Sequence, residues 1–137
     1  MHRFVLILAV VAMACDEGGG NNESHPAPEG VTTGFVASCD STVNCCAQCF
    51  EYYGDNPSAD FTGMFNESNC GDYKTQCSLE GAIGLCVISS DNAPQGIPEG
   101  ITTVDVRYKQ TANGEVYATA EQAEGYCVMQ NGIWQPL

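Results

Sequence analysis

Apolar and polar positions alternate most cleanly over residues 101–110. There Val104, Val106 and Tyr108 fall on one side of an extended chain, and Asp105, Arg107 and Lys109 on the other. Asn113-Gly114 is a strong hairpin turn, and 115–119 is expected to return as the partner strand. Upstream, the apolar run AIGLCVIS at 82–89 has the length of a buried strand, and VTTGFVA at 31–37 predicts another, with Gly34 its weak point. Helical readings fit three stretches. Asp40, Ser41 and Thr42 offer N-caps for a helix running to Tyr53, stopped by Gly54-Asp55-Asn56-Pro57. On it Cys45 and Cys49 would share a face, with Cys46 pointing elsewhere. Ala59, Phe61, Met64 and Phe65 have helical spacing, interrupted by Gly63. Thr119 to Gln122 forms a capping box, which starts a helix at Ala120 that carries Ala123, Cys127 and Val128 near one face and ends at Asn131-Gly132. Trp134 is then expected to fold back on the core.

Residues 69–78 read as a loop and 91–100 as a turn-rich connection. Pro28-Glu-Gly-Val-Thr-Thr33 recurs as Pro98-Glu-Gly-Ile-Thr-Thr103, which points to chance or a shared way of entering a strand rather than to duplication. The fold class expected is α+β: a small disulfide-stapled domain with a β-hairpin or short antiparallel sheet and two or three short helices.

Cysteine changes the picture most. Eight of the nine, Cys39, Cys45, Cys46, Cys49, Cys70, Cys77, Cys86 and Cys127, lie in the foldable part, and Cys15 stands apart. An even set at this density predicts disulfides and an oxidising compartment. Cys86 with Cys127 is the one pairing expected, a buried strand facing the helix after the hairpin. Cys45 and Cys46 are not expected to join each other, because a bridge between neighbours is strained.

At the N-terminus Met1-His2-Arg3 is a short basic start, followed by an unbroken apolar run from Phe4 to Met13. That run is too short to span a bilayer, which takes ~20 residues, and suits an export signal. Ala14-Cys15 at its end resembles the leader of bacterial lipoproteins. The resemblance implies cleavage after Ala14, diacylglycerol on Cys15 and a membrane anchor; Ala12-Met13-Ala14 also fits ordinary secretion without lipid. The expected organisation is a signal peptide at 1–14, a lipid-anchored flexible tether at 15–34 and a cysteine-rich domain at 35–137. His25 falls in the tether and is expected to be solvated. Gly84-Leu-Cys86, a tyrosine-bearing hairpin, Ala120-Glu-Gln-Ala123, Cys127 and Gly132-Ile-Trp134 resemble small cysteine-rich lipoproteins of predatory and soil proteobacteria, a family that brings no activity with it.

The net charge is −13, with four lysines and arginines against 17 acids. Such a surface repels phosphate backbones and makes nucleic acid an unsuitable partner. Cys46-Ala-Gln-Cys49 lacks a nearby cation to activate a thiol, and one tether histidine offers no base for a hydrolase. No catalytic residue, metal site or cofactor is therefore expected. Tyr52 and Tyr53, adjacent on the first expected helix, cannot both face one core, and Tyr73 sits in a cysteine-flanked loop. These three are the candidate contact residues. The expectation is a non-catalytic envelope or cell-surface lipoprotein, a binding or structural module for a neutral or cationic protein or envelope component; the alternative is a small secreted disulfide-rich effector or inhibitor without a lipid anchor.

Overall fold

The computed structural model describes residues 25–42, 46–109 and 119–137. Five strands form one antiparallel sheet: β1 (Phe35–Asp40), β2 (Gln48–Tyr53), β3 (Ala82–Ile88), β4 (Thr102–Tyr108) and β5 (Ile133–Pro136), in the order β1-β2-β4-β3-β5. Three helices accompany it, α1 (Ala59–Thr62), α2 (Glu67–Cys70) and α3 (Ala120–Met129). This is a small disulfide-stapled α+β domain. The hairpin expected at Asn113-Gly114, with its return strand, lies outside the described residues, apart from Thr119.

β4 sits at the centre because its alternation serves two faces. Val104 and Val106 are fully buried with Cys49, Tyr53, Cys77, Leu85 and Val87, and Val31, Phe35, Leu79, Ala82 and Tyr108 pack around them. Its other side, with Thr103 and Asp105, is buried too. On that side Cys86, Ile88 and Cys127 form a second cluster against Trp134. The helices cover this face. α3 is stapled to β3 by Cys86–Cys127, as expected, and α2 to β1 by Cys39–Cys70. Opposite the helices lie the loop carrying Gln76 and Cys77, stapled to β2 by Cys49–Cys77, and a strap of residues 25–31.

Two expectations change. The helix expected to run to Tyr53 is strand β2 over Gln48–Tyr53. Phe50, Tyr52 and Tyr53 favour a pleated surface, and pairing with β1 on one side and β4 on the other outweighs the weak helical preference of Ala47, Gln48 and Glu51. The tether does not reach 34. Pro28 is buried, Val31 packs on the core, and Glu29 and Gln135 exchange two hydrogen bonds, from Glu29 N to Oε1 (3.2 Å) and from Nε2 to the Glu29 carbonyl (2.7 Å).

The α3 capping box is formed, with Thr119 accepting from the Gln122 amide and Gln122 accepting from the Thr119 amide. Ala123 and Cys127 face inward, whereas Val128 is exposed. The repeated Pro-Glu-Gly motif is a repeated turn. Val31 N donates to the Pro28 carbonyl and Ile101 N to the Pro98 carbonyl, with Gly30 and Gly100 at φ +85° and +83°. These are type II turns, whose third position needs the left-handed backbone that glycine tolerates. Pro94-Gln-Gly-Ile97 makes a third, with Gly96 at φ +93°.

Candidate functional site

One of these turns builds a cleft. The turn at 98–101 faces the segment 55–58, and Thr33 closes one end, enclosing about 480 Å³ lined by Asp55, Asn56, Ser58, Glu99 and the apolar Pro57, Pro98 and Ile101. The walls meet at Gly54: a Cβ there would lie 2.5 Å from Ile101 Cδ1. Gly54 N donates to the Gly34 carbonyl (2.8 Å), and Gly34 N reaches Asp55 Oδ1 (3.4 Å). Thr33 Oγ1 is buried and has no hydrogen-bond partner. Asp55 and Glu99 are exposed, and every charged group lining the cleft is acidic. The arrangement offers carboxylates, a hydroxyl and backbone groups to a small cationic or polar moiety. Nothing local in the sequence shows that residues 33, 55 and 99 meet, so none of them stood out as a candidate.

The tyrosines are placed differently from expectation. In a strand, neighbours point to opposite faces, and both faces here are covered. Tyr53 is 1% exposed inside the strap-side core, so it presents no contact surface. Tyr52 is half-buried on the helix side against Phe61 and Phe65, with ring centroids 5.6 and 5.2 Å away. Burial, and after it the charge of Asp105, raises its phenol above the ordinary range. Tyr73 is half-buried, Lys74 Nζ lying 5.5 Å from its ring centroid. The three do not form one surface.

His25 is the other correction. Its side chain is 7% exposed and its Nε2 lies 2.9 Å from Oε1 of Glu51, which is wholly buried. The same oxygen accepts the Cys77 amide (2.8 Å), and Glu51 Oε2 accepts the Tyr53 hydroxyl (2.7 Å). Gln76 Nε2 donates to Tyr53 (2.8 Å), and Gln76 Oε1 accepts His25 N (3.0 Å). The linker composition around His25 concealed this, since its partners are 26 and 51 residues away.

On the opposite face Asp105, 2% exposed, accepts from Arg107 Nε (2.8 Å) and Gln48 Nε2 (3.0 Å) through Oδ2, while Oδ1 has no partner. Burial raises its carboxyl above the usual range, and Arg107 and Gln48 offset part of that.

Cys49 is bonded to Cys77, so Cys46 and Cys49 do not form a disulfide with each other. Cys46 is disulfide-bonded too. The expectations for Cys15, for Cys45 and against a Cys45–Cys46 bridge concern residues outside the described ones. Among the described residues no three His, Cys, Asp or Glu side chains converge as a metal site, and no helix is long and apolar enough to cross a membrane. No family model, curated protein or solved structure matches the chain.

Proposed function

We propose that the chain is an exported, non-catalytic binding module, tethered to a bacterial membrane by lipid on Cys15, whose acidic cleft takes a cationic or neutral group of a protein or envelope component. The observation that carries this reading is the cleft, concave and polar, with only acidic charged groups on a molecule of net charge −13. Three disulfides among the described residues fit an oxidising compartment. The single tether-side histidine is engaged with Glu51, which supports a structural rather than a catalytic use of it.

The cleft is tested by titrating a short lysine-containing peptide into isotope-labelled protein at low and high salt. The amides of Gly34 and Gly100 should shift, and the shifts should weaken with salt, because exposed charges are screened beyond ~8 Å at physiological ionic strength. Asp55→Asn with Glu99→Gln should abolish them. Equal binding of an anionic peptide would refute the cleft reading. Labelled fatty acid should enter the chain in a bacterial host and be lost in Cys15→Ser; an unlipidated but exported chain would leave the secreted form as the correct one.

A further inference from the structure

The strap at 25–31 is fastened at His25, where both ring nitrogens meet oxygen. Nδ1 of the ring lies 2.9 Å from the Pro26 carbonyl, and Nε2 lies 2.9 Å from Glu51 Oε1. A carbonyl oxygen can only accept. The Glu51 oxygens already accept the Cys77 amide and the Tyr53 hydroxyl, as an ionised carboxylate does. Both ring nitrogens therefore face acceptors. With Glu51 ionised, either neutral tautomer would aim a lone pair at an oxygen, and the imidazolium satisfies both.

Among the described residues the surroundings supply no substitute charge. From β2 the ring meets Glu51 and, beyond it, Tyr53; from the loop, Gln76 and the Cys77 amide. From β4, Tyr108 donates to the Ser78 carbonyl, and its phenol is raised by burial and then by the charges of Asp40 and Glu51. Among the described residues, His25 is the only basic side chain within ion-pair distance of Glu51. Loss of its proton would leave a wholly buried carboxylate without a counter-charge, which is costly.

We infer that residues 25–31 are a proton-held latch: the strap is docked while His25 carries its proton and releases from the sheet as the pH rises through the imidazole titration. The docked ring faces two acceptors that its protonated form satisfies, so the docked state is favoured at low pH. Its equilibrium falls by at most about tenfold per pH unit over the range in which the ring loses its proton, and levels off above it. Release uncovers Glu51 and the core surface beneath Val31. It also adds roughly 20–25 Å of extended chain to whatever precedes the domain. The latch thus couples the reach and orientation of the domain to the acidity outside the cell, and it stands whether or not the chain carries lipid.

Histidine-labelled full-length chain tests this, since His2 and His25 are the only histidines. Between about pH 5 and about pH 8 the His25 ring should pass from doubly to singly protonated. The Cys77 amide shift should follow with the same midpoint. Exchange protection of the His25 and Val31 amides, corrected for intrinsic rates, should fall by at least about tenfold. His25→Gln should erase the pH dependence, and Glu51→Gln should move it to lower pH. A His25 ring neutral throughout would overturn the latch. So would strap protection that is constant or rises with pH in the native chain, and this needs no variant to fold.

Discussion

Single positions in this domain are decided by what lies across the sheet from them. Gly84 and Gly132 show it most directly. A Cβ on Gly84 would lie 2.2 Å from Trp134 Cζ2, and one on Gly132 2.5 Å from Cys86 Sγ. Gly84→Ala must therefore push the indole off its seat, at a cost of about 1–3 kcal/mol. Trp134 is the only tryptophan, so its fluorescence should report both the displacement and a lower urea midpoint. Asp105 makes a pH prediction. Its folded-state titration is raised above the unfolded one, so its contribution is fully present below the ordinary carboxylate range and is lost as the pH rises through the folded titration. Asp105→Asn should accordingly gain in stability relative to the native protein from about pH 4 to about pH 8, by urea midpoints. A constant difference across that range would mean that burial does not govern this group.

At the scale of elements, caps and turns hold where local chemistry is sufficient. The α3 box satisfies two amides that would otherwise lack partners, and Thr119→Ala should cost about 1 kcal/mol in thermal or chemical denaturation. Ser58 and Asn66 cap α1 and α2 in the same way, accepting from the Phe61 and Asn69 amides. Each of these helices is a single four-residue turn, so their stability rests on Phe61, Phe65 and the Cys39–Cys70 bond rather than on helix length. β2 is the contrary case. Its segment carries helix formers and plausible caps, and only the two partner strands make it extended. Tyr53→Phe removes the hydroxyl donor to Glu51 and the acceptor for Gln76, which should cost about 1–3 kcal/mol and increase exchange in the strap, while a variant at exposed Tyr126 should change neither.

Over the whole molecule, three long-range bonds and a strap tie loops and helices to one sheet among the described residues. The Cys86–Cys127 bond closes a span of 41 residues, and replacing both cysteines by alanine should cost about 4 kcal/mol on loop-closure grounds, read from denaturation of the oxidised protein. The amino-acid sequence by itself determined the disulfide-stapled α+β class, strands β3 and β4, the α3 capping box, and the pairing of Cys86 with Cys127. These are written in spacing along the chain, as a two-residue alternation or a cap three residues from its partner. Tertiary structure alone decided the strand character of β2, the burial of His25, Tyr53 and Asp105, and the meeting of Thr33, Asp55 and Glu99. The reason is physical. A strand needs partners that its own sequence does not contain, and a sheet covered on both faces buries polar and apolar positions alike. A polar group becomes tolerable inside once a partner 26 residues away in the chain, as Glu51 is to His25, lies within hydrogen-bond reach.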